Sequence, residues 1–206
     1  MALLLLILIG CANNNPIVLN STEVRNYQGE KLSSINDFHE NSIKGPQYID
    51  INSYKLEISG LVEEEKQLTY DEVLSLQKYS KVITLYCVEG WDVTILWEGV
   101  LLKDVIGKTQ PGANTVIFYA YDGYSSSLPL DYIVDNDIML AYKINNATIP
   151  PERGFPFQVV AEDRWGYKWV KWVTKIDVTN DPTYRGYWEQ RGYNNDGSHE
   201  GPIFER

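Results

Sequence analysis

The clearest chemical potential in this chain sits at Cys87. It ends a β-branched, apolar run (Val82, Ile83, Leu85) and precedes Glu89-Gly90-Trp91. Strand-like residues that deliver one cysteine to a glycine-containing turn present a thiolate at a sheet edge. A thiolate is a soft ligand, suited to metals held through sulfur. The competing expectation is a buried cysteine that packs as a small hydrophobe. Glu89 and Asp92, close to that cysteine, form either a carboxylate pair or ordinary solvent-facing turn residues.

A second constellation lies downstream in PPERGFPFQVVAEDRWGYKWVKWV, residues 150–173. Arg164, Lys168 and Lys171 alternate there with Trp165, Trp169 and Trp172. Helical spacing would give one aromatic and one basic stripe, the pattern of an amphipathic helix. Gly166 in mid-pattern weakens a helix. The alternative is a loop whose backbone and ammonium groups receive a phosphate. Basic residues mixed with aromatics also occur where single strands of nucleic acid bind. This patch is short, however, and the formal net charge is −10, so the chain lacks the broad basic surface that phosphate backbones need.

Other chemistries find little support. Ser125, Ser126 and Ser127 have no G-x-S-x-G context, and His39 and His199 are the only histidines. Two distant histidines without paired cysteines do not make a zinc site. No C-x-x-C-H haem motif is present, so a redox function would exchange electrons with a separate protein.

The elements that must position these residues are mostly strands. A chain of 206 residues with 44% hydrophobic content can bury a sizeable core in one domain. Alternation over Tyr48–Leu61 predicts one or two strands, closing on Gly60. Thr69-x-x-Glu72 is a capping box that opens a short helix with Val73, Leu74 and Leu76 on its apolar face. The strand to Cys87 follows, and a short helix over Leu101–Ile106 ends at Gly107. Thr115–Tyr121 reads as a strand, Asp122-Gly123-Tyr124 as a turn, and Ser127-x-Pro129 as the start of another helix. Ile138–Ile144 returns as a strand, and Asn145-Asn146 suits a hairpin turn. Strands and short helices without a regular βαβ rhythm predict a sheet-dominated α+β domain. Tyr187 and Trp188 pack back on it, and the last ten residues fray.

CVEGW, followed by W-x-G-V-x-L at Trp97–Leu102, resembles the molybdopterin-binding oxidoreductases that include sulfite oxidases and methionine sulfoxide reductase catalytic subunits. Pro-x-x-x-Gly-x-Pro at Pro150–Pro156 and the later Gly166-Tyr167-Lys168 are similar to the same family's carboxyl half. The resemblance runs over residues 36–193 and implies a mixed layered fold. It implies that Cys87 is the protein's ligand to molybdenum, or to tungsten in a related form. It further implies that the pterin is held by Asn41, Arg153, Gln158, Gly166, Tyr167, Lys168 and Lys171, with His39 a weaker contact. Gln158 stands where an arginine is common in the family, which removes one cation from the phosphate site, and Lys171 compensates. The activity implied is oxygen-atom transfer to or from a small sulfoxide-type or sulfite-type substrate, with CVEGW closer to the sulfoxide branch. A cofactor-free, lipid-anchored binding or structural protein with the same fold is the rival function, and a tryptophan-rich carbohydrate-binding lipoprotein is a third.

The amino terminus reads as a targeting segment. Leu3–Ile9 is wholly apolar but far shorter than the ~20 residues that a membrane span needs. LIGC resembles a bacterial-type lipobox, in which Cys11 becomes the lipid-modified first residue. The expected organisation is a signal segment at 1–11, a tether at 12–25 and the oxidoreductase domain at 26–206. The expected location is the cell envelope, outside the cytoplasm, where the electron partner could itself be membrane-bound.

Overall fold

A computed structural model of the protein describes residues 23–205. Cys11, with the lipid anchor expected there, lies outside the described residues, as does most of the expected tether. The domain begins earlier than position 26. The Glu23 carboxylate accepts hydrogen bonds from the Ile35 amide at 2.7 Å and from Asn145 Nδ2 at 3.1 Å. The Val24 amide donates to the Asn145 carbonyl at 2.9 Å. No helix among the described residues is long and apolar enough to cross a membrane.

After a small hairpin, β1 (Asn26–Tyr27) and β2 (Glu30–Lys31), two sheets carry the domain. The first is built on β5 (Lys78–Tyr86), β6 (Asp92–Leu101) and β9 (Met139–Ile144), with β10 (Ala147–Thr148) and β11 (Gln158–Val160) both paired to β9. All its pairings are antiparallel. The second has the order β4 (Lys66–Leu68), β3 (Leu56–Gly60), β12 (Val173–Thr179), β7 (Thr115–Ala120), β8 (Ser125–Pro129), and only β3 and β12 run parallel. One hydrophobic cluster joins both sheets, with Ile95, Trp97 and Leu140 from the first and Ile58, Phe118 and Ile176 from the second. Short helices α1 (Tyr70–Leu74), α2 (Leu102–Ile106) and α3 (Leu130–Asp135) add Val73, Val105 and Ile133 to that core. This is the expected sheet-dominated α+β layered domain.

Local chemistry explains most of these boundaries. Thr69 and Glu72 form both bonds of the capping box ahead of α1. Gly107 ends α2 at φ +76°, a conformation that costs glycine least. Asn145 and Asn146, at φ +48° and +68°, make the two-residue turn from β9 to β10. In W-x-G, the glycine is required by packing: a Cβ on Gly99 would lie 2.2 Å from the Leu140 carbonyl oxygen.

The Tyr48–Leu61 stretch holds one strand, Leu56–Gly60, and ahead of it Asp50 Oδ1 accepts from the Asn52 amide at 3.0 Å and closes a turn. Two expectations are corrected. Ser127 lies within β8, paired to Ile117, and the helix begins after Pro129. The tail does not fray: Asn194 donates to the Ile203 carbonyl at 2.9 Å, and Arg185 pairs with Glu205 at 2.7 Å.

Candidate active site

Cys87 follows the last residue of β5. Its amide donates to the Trp91 carbonyl at 2.9 Å, and the Gly90 amide donates back to the Cys87 carbonyl at 3.0 Å. Gly90 sits at φ +87°, which allows this tight return into β6. Cys87 is 8% exposed and borders a cavity of about 340 Å³, within the range of small-molecule and cofactor sites. Burial pushes its thiol pKa up. The Glu89 backbone bond opposes that rise, the Glu89 charge adds to it, and a bond from Asn41 lowers it slightly.

The opposite wall comes from two distant segments. Residues 38–43 leave a short 3-10 turn (Ile35–Asp37) capped by Ser34. They are held by cations from the carboxyl half. Arg153 Nη2 donates to the Phe38 carbonyl at 2.7 Å, and Lys171 Nζ donates to Glu40 Oε1 at 2.9 Å. The segment so fixed brings Asn41 Nδ2 to 3.6 Å from Cys87 Sγ. Phe38 and His39 stand against Trp91 with ring centroids 6.4 and 5.3 Å apart.

The tryptophan-rich stretch is a loop, not an amphipathic helix. Gly166–Lys168 forms one 3-10 turn, and Trp172 has φ +51°. Trp165 bridges in parallel to Tyr86, which places Gly166 beside the cysteine. A Cβ on Gly166 would meet the Tyr86 carbonyl oxygen at 3.4 Å and Cys87 Cα at 3.8 Å. Gln158 is buried in β11 and also lines the cavity.

Of the eight residues expected to hold a cofactor, Asn41, Cys87, Arg153, Gln158, Gly166, Tyr167 and Lys171 share this cavity. His39 joins them. Lys168 does not. Its side chain is fully buried, and its ammonium donates to Glu189 Oε1 at 2.7 Å and to the Asn195 carbonyl at 2.9 Å. A phosphate contact through that ammonium is therefore replaced by an internal ion pair. Burial pushes the pKa of Lys168 down, and Glu189 opposes the shift.

Sequence reasoning missed Ser42, Trp188 and Tyr193 on the cavity wall and gave Trp91 no role beyond its motif. Ser42 adjoins Asn41 and Trp91 closes the CVEGW turn, so their positions were within reach of the motifs. Trp188 and Tyr193 carried no local signal.

The cavity chemistry fits an anionic, polar group with an affinity for sulfur. Ser42 Oγ and Trp91 Nε1 are buried on its wall without a hydrogen-bond partner among the described residues. Such groups are costly unless something binds them. Burial lowers the pKa of both Arg153 and Lys171, with Glu40 opposing in each case, and a bound anion near them would offset that burial cost by charge attraction. Cys87 supplies the soft ligand. A molybdopterin group meets all three demands, with Arg153 and Lys171 able to receive its phosphate.

Residues 43–188 match the family described as "Oxidoreductase molybdopterin binding domain". The chain is 32% identical over 151 residues to the "Uncharacterized oxidoreductase YuiH" of Bacillus subtilis (strain 168), covering 72% of this chain and 76% of that one. It is 32% identical over 148 residues to the "Putative protein-methionine-sulfoxide reductase subunit YedZ1" of Azospira oryzae, covering 71% of this chain and 56% of the other. With the "Sulfite oxidase" of Arabidopsis thaliana it shares 28% over 181 residues, spanning 46% of that protein. The crystal structure of the sulfane dehydrogenase SoxCD from Paracoccus pantotrophus superposes with a TM-score of 0.65 at 20% identity, over 74% of this chain and 45% of that one, and so shares the fold. With its cysteine turn, its cationic loop and a family match over most of its length, the chain belongs to the molybdopterin-binding oxidoreductase family and is a molybdopterin-dependent oxidoreductase.

Proposed function

We propose that the domain transfers an oxygen atom to or from a small, neutral, sulfoxide-type substrate and exchanges electrons with a separate redox protein. The observation that carries this is Cys87 Sγ on the cavity wall, with Asn41 Nδ2 at 3.6 Å and the Gly166 backbone packed alongside. When bound, the metal–pterin group supplies the two-electron redox chemistry.

The chain's own residues bind, orient and shield. Cys87 would hold the metal through its deprotonated sulfur. Asn41 holds the sulfur by a hydrogen bond and limits its rotation. Arg153 and Lys171 receive the phosphate, and Gly166 leaves room for close approach of the backbone. Phe38, His39 and Trp91 shield the sulfur from bulk water on one side. Glu89 places a carboxylate on the same cavity wall as Cys87, which disfavours an anionic substrate such as sulfite. Arg153 and Lys171, committed to the phosphate in this reading, leave no further cation on the cavity wall for an anionic substrate. The likeness to the Azospira sulfoxide-reductase subunit supports the same preference.

The test is metal content and visible charge-transfer absorption of wild type and Cys87→Ser made in a molybdenum-competent host. Serine keeps the size but removes the soft thiolate, so absorption is expected in the first and not in the second, with similar thermal melts. Elemental analysis of the same samples separates molybdenum from tungsten. A wild-type protein free of both metal and pterin overturns the proposal. For the envelope location, LIGC and the apolar run before it support a lipid anchor at Cys11, and Cys11→Ser is expected to release the protein from membranes.

A further inference from the structure

The buried Lys168–Glu189 pair has no part in the chemistry above, yet it joins the loop beside Cys87 to a segment beyond the family match. That match ends at residue 188, and residues 189–205 follow as a strap with one 3-10 turn, Glu189–Arg191. The strap docks on this loop, and its Tyr193 reaches the cavity wall. Tyr167 Oη donates to the Asn194 carbonyl at 2.7 Å, and the Trp165 amide donates to the Gly197 carbonyl at 2.8 Å. Lys168 reaches both Glu189 and the Asn195 carbonyl. His199 stacks on Tyr86, the residue before Cys87, with centroids 4.6 Å apart and planes 5° from parallel.

Two further observations bear on how firmly this junction is held. Glu189 Oε2, Asn195 Oδ1, His199 Nδ1, Arg164 Nε and Trp165 Nε1 are all buried there without a hydrogen-bond partner among the described residues. Unpaired polar groups subtract from the stability of the interface that buries them, so the strap is held less tightly than its bonds alone would give. Trp188 and Tyr193, at the root of the strap, form cavity wall, so lifting the strap opens the cavity.

We propose that residues 189–205 are a latch on the cofactor cavity, with Glu189 as the positioning residue that pins the Gly166–Lys168 turn against the cysteine strand. This rests on the pterin occupying the cavity as described above. A latch that retains the cofactor must itself be steadied by the cofactor, because coupling between two binding events is reciprocal.

The experiment compares amide hydrogen exchange of residues 193–199 in wild-type protein with and without pterin, the latter made in a host unable to synthesise it. Exchange at Tyr193–His199 is expected to slow at least about fivefold with pterin, the low end of typical coupling. Release of pterin, followed as its fluorescent oxidation product, is then measured for Glu189→Gln and for Phe204→Ala. Phe204 is 55% exposed and touches Tyr193 at 4.8 Å between centroids, so its truncation loosens the strap with little effect on the core. Val134→Ala, at an exposed position on α3, is the control. Faster release from Phe204→Ala than from the control, at equal melting temperature, supports the latch. Pterin that binds wild type but leaves strap exchange unchanged, or leaves Phe204→Ala at the control rate, overturns the latch alone. Wild type that holds no pterin overturns the cofactor assignment beneath it.

Discussion

The two walls of the cavity are built on different principles. The Cys87 wall belongs to a strand ladder, in which β5 and β6 stay in register over nine residue pairs from Lys78↔Val100 to Tyr86↔Asp92. The facing loop has one 3-10 turn and no ladder: isolated backbone bonds, such as the Trp165 amide to the Gly197 carbonyl, combine with side-chain bonds of Lys168 to Glu189, Lys171 to Glu40 and Arg153 to the Phe38 carbonyl. Two lysines three residues apart show the consequence. Lys168 is a strut inside the protein, while Lys171 stands at the cavity with 17% of its side chain exposed. Backbone pairing fixes the proposed metal ligand regardless of what is bound, whereas the loop relies on isolated backbone bonds reinforced by long-range charge pairs.

The largest effect is expected where the loop wall loses its strut. Lys168→Met leaves Glu189 buried without its partner, and breaking one side of a buried pair costs about 3–5 kcal/mol. Denaturant unfolding of the pterin-free protein measures it. The double variant Lys168→Met/Glu189→Met is expected to recover much of the loss, since apolar replacement of both partners is often close to neutral. A single variant as stable as wild type would erase the contrast between the walls.

The ladder wall is tested at Gly99. Its Cβ position falls on the Leu140 carbonyl, so Gly99→Ala forces β6 and β9 apart and is expected to cost about 1–3 kcal/mol by overpacking. The same unfolding measurement checks it. A smaller change in stability, about 1 kcal/mol or less, is expected for Lys171→Met, a partly exposed pair. Pterin occupancy, in contrast, is expected to fall, because the proposed phosphate ligand is lost. Equal stability losses for Lys168→Met and Lys171→Met would show that the two lysines do not differ in kind.

The smallest effect lies away from the cavity. The Glu72 carboxyl is held below its ordinary pKa by the Thr69 amide and hydroxyl. A carboxylate lowered on folding stabilises above its unfolded pKa of 4.5 and loses that contribution as pH falls through the lower folded value. Glu72→Gln is therefore expected to melt slightly earlier than wild type at neutral pH, with the gap closing in acid.

What could be read from the residue order divides along the same line. The Cys87 turn, the Thr69 cap, the Gly107 stop and the Asn145-Asn146 hairpin all rest on contacts within a few residues, and their chemistry is visible locally. Of the one or two strands open over Tyr48–Leu61, the alternation at Ile49 and Ile51 forms none, because an Asp50 side-chain bond competes with strand pairing over that span. The roles of Lys168 and Lys171 were not legible, since each is decided by a carboxylate far along the chain, Glu189 for one and Glu40 for the other. Asn41 was singled out by resemblance as a pterin contact, but its bond to the cysteine sulfur, 46 residues away, needed the fold. The polar composition of the tail suggested fraying and concealed the aromatic contacts among Tyr193, Trp188 and Phe204.

The parallel pairing of β3 with β12 has a consequence in time. Lys175 lies opposite Glu57, so the second sheet cannot close until the chain has been made through residue 179. Contacts of such long sequence separation form late and slow the search for the native state. The loop that completes the cavity lies between the partners of that closure, just ahead of β12. A nascent chain therefore exposes the Cys87 hairpin first and finishes the cavity almost last, so capture of the cofactor falls at the end of folding rather than at its start.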